Sequence, residues 1–189
     1  DGFSKGTFTL IKTLTASSSA TLSFVNGSSD VVLDSTYKEY LFIYNNLHPA
    51  TDGASLEFNL SIDSGSNYNV TKTSSSYRAF QDEAGTATSI AYFAANDLAQ
   101  GTGFQPLGDE NQSNDNDHGQ CGILHLFNPS DTTFVKHFLG INVNVHNGDY
   151  IINDYIGGYA NTTSAVDAIQ FKYHTGNIDA GTIQLFGVA

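Results

Sequence analysis

Ala54-Ser55-Leu56-Glu57-Phe58-Asn59-Leu60-Ser61-Ile62-Asp63 alternates apolar and polar residues without a break. Successive side chains of a strand point to opposite faces, so a period of two predicts a half-buried strand. Ala54, Leu56, Phe58, Leu60 and Ile62 are its expected core face, and Ser55, Glu57, Asn59, Ser61 and Asp63 its outer face. The same period extends outward on both sides. Phe8, Leu10 and Leu14 alternate with Thr7, Thr9, Thr13 and Thr15, and Ala20, Leu22 and Phe24 follow a Ser17-Ser18-Ser19 break. That break suits a hairpin connection. Tyr40-Leu41-Phe42-Ile43-Tyr44 is apolar on both faces, which places it inside a sheet.

The second half repeats the pattern. Gly122 to Phe127 reads as a strand that stops at Asn128-Pro129, because proline removes a ladder donor. Val135, His137, Leu139, Ile141, Val143 and Val145 form one apolar face of the longest candidate strand. Ile151 to Tyr159 follows, and two runs around the Gly176–Gly181 turn suggest a C-terminal hairpin. No 12-residue window carries a helical stripe, and the Ala-enriched residues 84–99 are the one place compatible with a short helix. About nine or ten strands with regularly spaced turns predict an all-β chain. The expected architecture is one β-sandwich domain over residues 1–189, jelly-roll-like in topology. Residues 108–119, rich in Asp and Asn, are expected to form an exposed acidic loop.

Composition removes several function classes. The 189 residues hold 19 acidic against 7 basic side chains, a net charge of −12, which repels phosphate backbones and anionic lipid. Nucleic acid and membrane are therefore not expected partners, and no apolar run approaches the ~20 residues of a membrane helix. Cys121 is the only cysteine, so no disulfide forms within the chain.

Candidate chemistry is sparse. Asp109, Glu110, Asp115 and Asp117 offer hard oxygen ligands, but their spacing does not fit the EF-hand loop, and a solvated turn is the simpler account. The histidines His48, His118, His125, His137, His146 and His174 show no His-x-His pair for zinc. No Gly-x-Ser-x-Gly elbow occurs, and Glu39, Glu57, Glu83 and Glu110 single out no catalytic pair. No catalytic, cofactor or metal site is expected, and the chain is not expected to be an enzyme. Tyr68, Tyr77, Tyr155 and Tyr159 are candidates for stacking on a sugar or for a subunit interface.

The segments Tyr40 to Gly53, Gly65-Ser66-Asn67-Tyr68-Asn69, Leu124 to Pro129 and Gly176 to Gly187 resemble a group of virion structural proteins of marine tailed bacteriophages, including cyanophage-like viruses. The similarity runs from about Thr9 to Val188, in turn and strand sequences rather than catalytic signatures. The resemblance implies a non-enzymatic part displayed on the outer surface of a phage particle. A capsid decoration (cement) protein is the favoured role, with a tail-fibre or receptor-binding domain recognising host glycan or a surface protein as the alternative. The expected partners are the virion's major capsid or tail protein and further copies of this chain. Strands apolar on both faces hold more aromatic and aliphatic surface than one small core hides, and a homotrimer matches a capsid's local three-fold axes.

Overall fold

A computed structural model describes residues 7–108 and 111–189. Twelve strands and a single 3-10 turn, Ala94–Asn96, make up its regular structure. In chain order the strands are β1 (Phe8–Thr15), β2 (Leu22–Val25), β3 (Glu39–Pro49), β4 (Leu56–Ser61), β5 (Lys72–Asp82) and β6 (Thr88–Tyr92). They continue with β7 (Gln105–Pro106), β8 (Gln120–Phe127), β9 (Lys136–His146), β10 (Tyr150–Ala160), β11 (Ala168–Tyr173) and β12 (Ile178–Val188). The protein is an all-β sandwich of two antiparallel sheets.

The large sheet runs β1-β12-β3-β8-β9-β10-β5-β6 and the small one β2-β11-β4-β7. Setting aside β5, β6, β9 and β10 leaves eight strands ordered β1-β12-β3-β8 over β2-β11-β4-β7. The chain passes between these sheets in the winding of a jelly roll, two interlocked Greek keys. The four remaining strands extend the large sheet beyond β8.

Between the sheets lies an aromatic core. Phe24, Phe42, Phe58 and Phe171 are fully buried, and they pack edge-on against neighbouring rings with ring centres 5.5 Å apart for Phe24–Phe42 and 5.2 Å apart for Phe58–Phe138. Leu56, Phe58 and Leu60 face this core as the alternation predicts. Tyr40, Phe42 and Tyr44 face it from β3, an interior strand of the large sheet.

Several expectations are corrected. Ile62 is 44% exposed, because β4 ends at Ser61 and the chain turns before the next inward position. The opposite face of β4 is not solvated either: Asn59 and Ser61 are buried. Asn59 Nδ2 donates to Tyr68 O and Thr102 O, and its Oδ1 accepts from the buried Lys72 ammonium. Burial pulls that ammonium down to about 7. On β1, Phe8 and Leu10 are exposed, since a bulge between Leu10 and Lys12 breaks the alternation and turns Ile11 and Leu14 toward the core.

The two expected hairpins are crossovers. β1 and β2 lie in different sheets, as do β11 and β12, so Ser17-Ser18-Ser19 and the Gly176–Gly181 turn carry the chain across the sandwich. Residues 84–99 form no α-helix; they hold β6 and the 3-10 turn. The loop over 108–119 is exposed at 114–117 but buried at Gly108, Gln112 and Ser113. Gln112 bridges to Ala54 and His146, and its Nε2 donates to Leu47 O. Asp109 and Glu110 lie outside the described residues.

The largest correction concerns β9. Lys136, Phe138, Gly140, Asn142 and Asn144 point inward, while His137, Leu139 and Ile141 are exposed and Val143 and Val145 half-buried. Its apolar face is the outer one.

Candidate functional site

Strand register assembles that outward face into rows. Ile43 pairs with Ile123, Ile123 with Ile141, Ile141 with Tyr155, Tyr155 with Tyr77 and Tyr77 with Tyr92. Three isoleucines and three tyrosines thus form one unbroken line across β3, β8, β9, β10, β5 and β6. The Tyr77 and Tyr155 rings stack at 4.8 Å and 7°. The row above it is Leu41-His125-Leu139-Gly157-Ser75, and the row below is Cys121-Val143-Asn153-Ala79-Ile90.

None of these rows holds an Asp, Glu, Lys or Arg, although the chain carries 26 such residues, 19 acidic plus 7 basic. Ile141 is 41% exposed, Tyr77 47% and Tyr92 66%. Charge depletion over an aromatic, aliphatic centre is the compositional mark of an interface core. The sequence named Tyr77 and Tyr155, and the sheet brings them together. Tyr159 lies 6.3 Å from the His137 ring at one end of the same face, whereas Tyr68 sits away in the 62–71 loop.

At the other end of this face is a groove of about 680 Å³. Val143, Val145 and Ile151 lie in its apolar floor, with His48, Asp117 and Asp179 among its polar lining. His48 Nε2 bonds Asp115 O at 2.9 Å, which ties the acidic loop to β3. Cys121 is half-buried beside it, its Sγ accepting from Asn46 N at 3.3 Å.

Other candidate residues stay apart. Glu39 meets His125 at 2.5 Å, and Glu57 lies 3.9 Å from Lys172. Asp115 and Asp117 gather no further carboxylate: among the described residues no three His, Cys, Asp or Glu side chains come together.

The interior holds a cluster that the sequence did not single out. Asp154 is fully buried on the inward face of β10, directly opposite Asn142 of β9, which lies opposite Gly122 and, beyond it, Tyr44. Burial pushes the Asp154 carboxyl up to about 7, against a smaller downward pull from Arg78. Because the folded protein then holds this proton while the unfolded chain has released it, stability falls as pH rises from about 4 to about 7. In metal-free buffer, urea midpoints across that window should decline in the wild type. Asp154→Asn should remove this part of the decline, and an unchanged slope in the variant would contradict the assignment.

No family model matches this chain, and no curated protein or solved structure matches it either.

Proposed function

We propose that this chain is a non-enzymatic structural subunit of a phage particle, a capsid decoration protein that associates through the outward face of its large sheet. The observation that carries this reading is the Ile43-Ile123-Ile141-Tyr155-Tyr77-Tyr92 row within an uncharged window. A net charge of −12 opposes self-association, and a contact face without ionised side chains adds no like-charge pair to that repulsion. The uncharged window is therefore a face on which copies can meet without juxtaposing like charges. Closed symmetry is the usual outcome for such contacts, and a homotrimer suits the three-fold positions of a capsid lattice. The phage setting rests on the resemblance of the turn and strand sequences.

Light scattering at micromolar concentration, with negative-stain imaging of particles labelled by antibody to this chain, tests the proposal. A trimer that decorates the capsid is the expected result. A 20.3 kDa monomer absent from purified particles would overturn it.

The groove favours a second reading, a tail-borne receptor-binding domain. Its volume falls in the range of small-ligand sites, and its apolar floor with imidazole and carboxylate lining suits a sugar ring and its hydroxyls. Tail labelling together with binding on a glycan array would select this reading over decoration.

A further inference from the structure

Six buried oxygen atoms without a hydrogen-bond partner lie on the inward face of β3, β8, β9 and β10. They are Tyr44 Oη, Gln120 Oε1, Asn142 Oδ1, Asn144 Oδ1 and both carboxylate oxygens of Asp154. Their residues are at most 2% exposed. Register makes them neighbours: Asp154 opposes Asn142, Gln120 opposes Asn144, and Asn142 and Asn144 share one face of β9.

Two glycines border the cluster. A Cβ on Gly108 would lie 3.2 Å from Gln120 Nε2 and 3.6 Å from Asp154 Oδ2. A Cβ on Gly122 would lie 2.8 Å from Asn142 Oδ1 and 2.6 Å from the Tyr44 ring.

The imbalance identifies the guest. Against these six oxygens, of which the Tyr44 hydroxyl can also donate, stand two unpartnered amide nitrogens, Nδ2 of Asn142 and of Asn144. Exchanging oxygen and nitrogen within either amide leaves the count unchanged. A buried polar atom left without a partner is destabilising, so a native structure rarely gathers so many. An interior of oxygens around one carboxylate is complemented by positive charge, of which Arg78 opposite Asp154 supplies a part. The donors are all oxygen, which selects a hard cation.

We propose that the inward face of β8, β9 and β10 binds a hard metal cation through the Asp154 carboxylate and the amide oxygens of Gln120, Asn142 and Asn144. Tyr44 Oη borders the site from β3. One carboxylate neutralises an alkali cation fully and Ca²⁺ by half, and both share this oxygen chemistry. Arg78, opposite Asp154 on β5, keeps its guanidinium 3.9 Å from the Phe93 ring centre, and its charge favours the guest of lower charge. The cation would pin β8, β9 and β10 together on the inward face of the large sheet. This inference does not depend on the virion reading.

The test starts from the full chain stripped with chelator into a tetramethylammonium buffer. CaCl₂, NaCl and KCl are then titrated separately, with tetramethylammonium chloride as the ionic-strength control. One of the metals should raise the melting temperature by about 3 °C or more in a saturable way. About one ion per chain should remain bound after gel filtration, by elemental mass spectrometry. Asp154→Asn should lose the rise, and Asn144→Ala should shift its midpoint about tenfold. Asp115→Asn combined with Asp117→Asn should keep the rise, which separates this site from the acidic loop. No metal-specific rise in the wild type, or an equal rise in Asp154→Asn, would overturn the proposal. Should Asp154→Asn not fold, Asn144→Ala with an unshifted midpoint would overturn it equally.

Discussion

Phe58→Ala is expected to cost about 3–5 kcal/mol, measured as a fall in unfolding free energy by urea titration. Phe58 is fully buried on β4 and is the ring through which the small sheet reaches β9. Its edge stands against Phe138 at 5.2 Å and 82°, and a second contact runs to Phe171 at 6.4 Å. Truncation removes the transfer free energy of a benzyl group and leaves a cavity. Strands on both sides of that cavity are held in hydrogen-bonded registers, so collapse into it is limited. Domains of this kind hold about 5–15 kcal/mol in total, so the variant should sit near the edge of stability. A change within about 0.5 kcal/mol, the size usual for surface positions, would mean that this face of β4 is not core.

Phe58 was legible from alternation because β4 lies within the two-sheet region, where one face of every strand meets the other sheet. The same rule misplaced β9. Period two says that two faces differ, but not which one turns inward. On β9 the more apolar face is the outer one, since Phe138 is the one large apolar side chain among the inward positions and Lys136, Asn142 and Asn144 are buried polar residues. Ile62 and Leu10 failed for local reasons, a strand end and a bulge, that no side-chain pattern announces. The crossovers at Ser17-Ser18-Ser19 and at Gly176–Gly181 carry ordinary turn residues, and turn chemistry does not say which sheet receives the next strand.

The sites were legible in proportion to how local their chemistry is. Tyr77 and Tyr155 stood out as residue types, yet their stacking needs β5 and β10 to be neighbours across 78 positions of sequence, 155 minus 77. Asp154 was invisible for the same reason. A search for metal ligands looks for carboxylates, histidines and cysteines near one another, whereas here a lone carboxylate is joined by amides from two other strands.

Ile141→Asp should leave the isolated fold nearly intact and abolish self-association. Ile141 stands at the centre of the outward row with Ile123 on one side and Tyr155 on the other, and it is already 41% exposed. Its side chain therefore contributes little to the monomer, and the loss there should stay within about 0.5–1 kcal/mol. In an assembly through this face the same position is desolvated. An aspartate would be buried without a partner, on a chain whose net charge is already −12. Central interface positions cost about 2 kcal/mol or more on truncation, and a buried unpaired charge costs more, so association should weaken by at least about 30-fold. Ile62→Asp is the control, because Ile62 is similarly exposed at 44% but lies beyond the end of β4, away from the row. Sedimentation velocity should find Ile62→Asp associating like the wild type and Ile141→Asp as a monomer at the same concentration. If both variants associate equally well, the outward face is not where copies of this chain meet. If both dissociate, added negative charge rather than the Ile–Tyr row governs assembly.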